Sequence, residues 1–102
     1  MTRYALHPGA YDDLDNIRGY IARDNPAAAD RLVDDILDAI STLALFPLSG
    51  QIRPVLTSRP LRFYVVREYL IAYAPTSPVW IVAVLHGRRN PRVVASILRG
   101  RQ

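Results

Sequence analysis

Chemistry, if this chain performs any, would begin at His86. It stands in the stretch Val84–Asn90, VLHGRRN, after the apolar run VWIVA and before a glycine and two arginines. Histidine is the residue type whose unperturbed side chain titrates near neutrality. As a catalyst, His86 would be a general acid or base in the attack of a 2′-hydroxyl on an RNA phosphate. Such a reaction needs a group of opposite role and a cation for the phosphorane. Glu68 is the only carboxylate in the second half of the chain, and Arg62, Arg88 or Arg89 could supply the charge. Arginine cannot serve as the base, because it stays protonated. The structural alternative, which a lone histidine favours, is a hydrogen bond that holds the strand end against the second helix.

The charge layout points to an anionic partner. All thirteen basic residues are arginine. Residues 1–50 hold four arginines against eight aspartates, and residues 51–102 hold nine arginines against Glu68 alone. Coding bias accounts for arginine over lysine, but not for the acids avoiding the second half. Guanidinium forks bind phosphate or carboxylate bidentately. Arg59, Arg62 and Arg67 fall on or beside the first two strands of the second half, and Arg88, Arg89 and Arg92 follow the last. Asp12, Asp13 and Asp15 read as a solvated helix start.

Most enzyme classes drop out. The chain has no cysteine, and His7 and His86 are its only imidazoles, so no metal site is expected. It carries no glycine-rich phosphate loop, nucleophile elbow or HExxH, so no cofactor is expected either. No apolar run is long enough to span a membrane. The apolar stretch after Arg3 stops at His7, which does not fit a signal peptide, and the expected location is the cytoplasm.

The elements that must position these groups follow from periodicity. A length of 102 residues suits one domain over 1–102. TRYAL, 2–6, alternates as a short strand. Pro8 suits a first helical turn, and Ala10, Leu14, Ile17 and Ile21 repeat at helical spacing, predicting a helix over about 8–23. Asn25-Pro26 is a cap followed by proline. The second helix presents Ala29, Leu32, Val33, Ile36, Leu37, Ile40, Leu43 and Ala44 on a broad apolar face, and should end near Phe46 because Pro47 disfavours helix before it. Three strands follow, 61–66, 69–73 and 79–85, joined by short links as an antiparallel meander. Asn90-Pro91 opens a last helix to about Arg99. The fold class is α+β, in the order β-α-α-β-β-β-α: an antiparallel sheet packed on an N-terminal helical hairpin. The sheet's other face is left for solvent or a partner. By period two, Leu61, Phe63 and Val65 should be core, with Arg62 and Tyr64 outward.

One ordered set of residues resembles a known family. It runs Pro8, Ala10, Asp13-Leu14, Ile17, Tyr20-Ile21-Ala22, Asp24-Asn25-Pro26 and Ala28-Ala29. It continues through Leu43-Ala44, Phe46-Pro47, Gly50, Arg53-Pro54 and Leu70-Ile71-Ala72-Tyr73, and ends at Val84-Leu85-His86-Gly87-Arg88-Arg89. The set is similar to the RelE/ParE superfamily of type II toxin–antitoxin toxins, and most similar to the ParE-like, plasmid stabilisation branch. The resemblance implies a growth-inhibiting toxin neutralised by a cognate antitoxin in a hetero-oligomer. ParE-like members inhibit DNA gyrase, whereas RelE-like members cut mRNA on the ribosome. In the nuclease branch an arginine stands where this chain has Leu70, other basic positions are filled, and a tyrosine follows the last strand. Here there is no lysine, and no tyrosine follows Tyr73. The resemblance therefore implies a gyrase inhibitor. The alternative is an endoribonuclease using His86, Glu68, Arg62 and Arg89. A third reading is a non-toxic binding module. Arg88, Arg89 and Arg92 are the expected target contacts, and Arg59, Arg62, Tyr64 and Arg67 the expected antitoxin contacts.

Overall fold

The computed structural model describes residues 3–101. Its elements are β1 (Tyr4–Leu6), α1 (Pro8–Ala22), α2 (Pro26–Leu45), β2 (Arg62–Val66), β3 (Tyr69–Ala74), β4 (Val79–His86) and α3 (Pro91–Arg99). This is the expected order, with boundaries within a residue or two; Thr2 of the expected first strand lies outside the described residues. Each helix starts on a cap followed by proline. Asn25 Oδ1 accepts the Ala28 N–H at 3.0 Å and Asn90 Oδ1 the Arg92 N–H at 2.8 Å. His7 caps α1 through Nδ1, which accepts the Gly9 N–H at 2.9 Å.

The sheet is mixed rather than purely antiparallel. Its strand order is β1-β4-β3-β2, with β1 parallel to β4. β2, β3 and β4 alternate in direction along the meander, and β1 adds beside β4 in the same direction as β4. β1 pairs only with Val79–Ile81, leaving the rest of the β4 edge without a strand. Next to that point β4 bulges. Ala72 pairs with Ala83 but Tyr73 pairs with Ile81, so Val82 is an extra residue.

Both faces of the sheet are covered. The hairpin packs Leu14, Leu32, Ile36, Ile40 and Leu43 against Tyr69, Ile71, Tyr73, Ile81 and Val84. The opposite face, expected to be open, is closed by Val94 and Leu98 of α3 and by Leu56 and Leu61 of the preceding loop, over Phe63, Leu70 and Val82. Alternation along β2 therefore sorts residues between two cores rather than between core and solvent. Leu61 and Phe63 are buried as expected, while Tyr64, expected outward, turns to the hairpin core together with Val66. Val65 is 56% exposed, at the sheet edge beyond the cover of α3.

Tyr73 ties the long loop to this scaffold. Its hydroxyl donates to Pro47 O at 2.7 Å and accepts the Gly50 N–H at 2.8 Å. Burial above all holds the phenol above the ordinary value of 10.0. The folded state therefore keeps a proton that the unfolded chain releases first. This contribution is complete below pH 10 and is lost as pH rises through the folded-state value. Thermal melts above pH 10 should show stability falling with pH, and Tyr73→Phe should flatten the decline. A slope unchanged by that substitution would contradict this role.

Candidate functional site

His86 ends β4 opposite Tyr69 of β3. Its Nδ1 accepts the Arg88 N–H at 3.1 Å, which leaves the proton of a neutral ring on Nε2. Nε2 lies 3.5 Å from Glu68 Oε2. The ring meets Tyr69 edge to face, with centroids 5.3 Å apart. These contacts tie the strand end to the β2–β3 turn, and α1 rather than α2 supplies the facing wall, correcting the expected anchorage to the second helix. Gly87 lies in the turn after β4 without a positive φ. Its N–H donates to Glu68 O at 2.7 Å, and a Cβ there would crowd the same oxygen at 3.2 Å. The left-handed residue of this region is Arg67, at φ 54°.

The acid and the base of the expected nuclease pair do come together, but the histidine is not placed to act as the base. The Nδ1 lone pair of His86 is used by a backbone amide, and Nε2–H faces a carboxylate. The neutral ring thus has no lone pair directed at a substrate. Tyr69 has its hydroxyl held above the ordinary value of 10.0, by burial first and then by Glu68 and Tyr20. It is a neutral hydrogen-bonding group at neutral pH. Around this cluster runs an open groove of about 710 Å³, between α1 (Asn16, Ile17, Tyr20) and the strand end (Tyr69, His86), with Arg89 at its rim.

The arginines divide into two groups. Arg59 caps α3, donating to Leu98 O at 2.8 Å and Arg101 O at 2.7 Å. Arg62 donates to Gly50 O at 2.7 Å, and Arg67 pairs with Asp35 of α2. Three of the expected antitoxin contacts are thus engaged within the chain, and the fourth, Tyr64, is half-buried against the hairpin core. Arg88, Arg89 and Arg92 are exposed at the turn and the first residues of α3. Arg62 belongs to the β2 edge and the long loop, so it does not join Arg89, His86 and Glu68 around the groove.

Sequence reasoning missed the most structured polar contact. Asp13 is not a solvated helix-start carboxylate. Its oxygens take a bidentate fork from Arg101, at 2.6 Å and 3.0 Å, and Oδ2 also accepts the Val84 N–H at 2.9 Å. Arg101 donates further to Val82 O at 3.1 Å. The two side chains therefore cap the part of the β4 edge that β1 leaves bare, on the far side of the bulge. They are 11% and 17% exposed. Arg101 lies close over Gly9, where a Cβ would stand 2.6 Å from its Cζ. Asp13 and Gly9 are visible in the sequence, but nothing local links them to a residue 88 positions on.

Among the described residues, no group of three or more His, Asp or Glu side chains could hold a metal ion, and no helix is long and apolar enough to cross a membrane.

This scaffold is a small α+β fold, a four-stranded mixed sheet between a helical hairpin and a third helix. The family model of the ParE toxin of type II toxin–antitoxin systems matches residues 4–91. The toxin ParE2 of Mycobacterium tuberculosis is 35% identical over 99% of this chain and 97% of its own. Y4kP of Sinorhizobium fredii is 35% identical over 79% of this chain and 84% of its own. A chain of the chromosomal ParDE toxin–antitoxin system of P. aeruginosa has the same fold, with a TM-score of 0.66 and 20% identity over 81% of this chain and 92% of that one. The chain belongs to the ParE family of type II toxin–antitoxin toxins.

Proposed function

We propose that this protein, as one domain over 1–102 and in the cytoplasm, arrests growth by binding DNA gyrase and is silenced by a cognate antitoxin. The observation that carries the reading is the family match over 4–91. It is supported by a cluster whose histidine has no lone pair free for proton abstraction. Binding rather than bond cleavage is then the work, and Arg88, Arg89 and Arg92 are the exposed cations suited to the target. Antitoxin contact falls to the β2 side, where Arg59, Arg62, Tyr64 and Arg67 lie; with three of these arginines tied internally, apolar burial should outweigh ion pairing, and affinity should depend weakly on salt. Purified toxin is expected to block gyrase supercoiling in molar excess, and Arg88→Ala combined with Arg89→Ala should weaken that inhibition. No effect of folded wild-type protein on gyrase would overturn the proposal.

The 3.5 Å approach of His86 to Glu68 favours one second reading, a ribosome-dependent mRNA endoribonuclease. There His86→Ala should lower cleavage roughly 10²–10⁴-fold. Under the gyrase reading His86→Ala remains toxic. A growth assay of that variant, with expression level checked, separates the two.

A further inference from the structure

Five large apolar side chains are exposed between residues 45 and 55: Leu45, Phe46, Leu48, Ile52 and Val55. Their backbone is held from the inside. Tyr73 bonds Pro47 O and the Gly50 N–H, and Arg62 donates to Gly50 O. Gln51 exchanges two hydrogen bonds with Phe63 of β2, at 2.9 Å and 2.8 Å. A loop pinned in this way loses little freedom when a partner covers it, so its apolar surface is preorganised for docking. Exposed apolar clusters of this kind mark interaction sites.

Charge selects the occupant. No acid occurs between Asp38 and Glu68, while Arg53, Arg59, Arg62 and Arg67 do. Only Arg67 of these has an acidic partner, Asp35. A second copy of the chain docking by two-fold symmetry would set arginines against arginines with no carboxylate between them. Nucleic acid fits poorly too, because Arg59 and Arg62 direct their donors at the chain's own carbonyls and the outward side chains are apolar. What fits is a protein segment with apolar side chains and carboxylates.

We propose that the 45–55 ridge anchors the antitoxin. Apolar side chains of an acidic antitoxin segment cover Phe46, Leu48 and Ile52, and its carboxylates face Arg53. This rests on the toxin–antitoxin reading above, and it places the apolar anchor outside the groove beside His86.

The test titrates the full chain with the antitoxin encoded in the same operon. Leu48→Asp and Ile52→Asp each place a carboxylate on the ridge without touching either core. Each should weaken binding at least about 100-fold, the range of a central interface anchor. Val93→Asp, an exposed apolar position on α3, should bind as wild type does. Wild-type binding that the ridge variants retain overturns the inference and leaves the toxin–antitoxin reading standing. Wild-type protein that binds no antitoxin overturns both. Hydrogen exchange on the wild-type complex covers the case of a misfolded variant: amides of 45–55 should gain protection, and unchanged exchange there overturns the inference. Self-association of the free chain that the ridge variants abolish, with antitoxin affinity intact, assigns the ridge to a second copy and also overturns it.

Discussion

Arg101→Ala and Asp13→Ala are each expected to lower stability by about 2 kcal/mol, below the scale for a fully buried ion pair because the two side chains keep 17% and 11% of their exposure. In Arg101→Ala the Asp13 carboxylate keeps only the Val84 N–H, and Val82 O loses a donor. In Asp13→Ala the guanidinium is left without its carboxylate and the Val84 N–H without an acceptor. For a domain of this size such a loss should lower Tm by about 8 °C or more. The double variant should cost less than the sum of the singles, since each already disables the same contact. Additive losses, or single losses below about 1 kcal/mol, would show that the clasp is not a coupled unit. The effect reaches the candidate site, because α3 and the turn carrying Arg88 and Arg89 lie between β4 and this clasp.

Gly50→Ala is the second large expected loss. A Cβ at Gly50 would lie 2.6 Å from the Tyr73 hydroxyl and 2.9 Å from Phe63 O. The hydroxyl could move only by giving up its bonds to Pro47 O and the Gly50 N–H, and the carbonyl belongs to a strand. Overpacking of this kind costs about 1–3 kcal/mol, and each buried polar group left unpaired adds about 1–3 kcal/mol. Gly50→Ala should therefore cost about 3 kcal/mol in chemical denaturation. Tyr73→Phe removes the hydroxyl but keeps the ring carbon Cε1, 2.8 Å from the same Cβ, so Gly50→Ala should cost less in that background without becoming neutral. An equal cost in both backgrounds would assign the strain to the Tyr73 ring and the Phe63 carbonyl rather than to the hydroxyl. The 45–55 ridge should loosen with either change, since Tyr73 pins its backbone.

The elements were legible because their signals are local. Asn25-Pro26 and Asn90-Pro91 mark helix starts by capping chemistry, and the spacing of Leu32, Ile36, Ile40 and Leu43 marks the buried side of α2. Strand direction was not legible, because β1 meets β4 across more than seventy residues and its three residues carry no mark of parallel pairing. The second core escaped for a related reason. Alternation in β2 shows two faces but not that α3 and the long loop return to cover one of them. At the site, His86, Glu68 and Arg89 were found by residue type and do meet around one groove. Which nitrogen of His86 is free depends on the Arg88 amide, and the turn that aims this amide has no signature in composition. Arg59, Arg62 and Arg67 look alike in sequence, yet one caps a helix, one ties a loop and one pairs with α2. Such long-range assignments emerge only with the assembled fold.

The proposed mode of action of this ParE-family chain is arrest of growth at gyrase by contact alone. Its most direct test follows labelled thymidine and labelled methionine incorporation in parallel after induction, in wild type and in His86→Ala. Thymidine incorporation is expected to fall first while methionine incorporation continues, identically in both strains. Methionine incorporation collapsing first, and being restored by His86→Ala, would contradict the claim and assign the chemistry to His86.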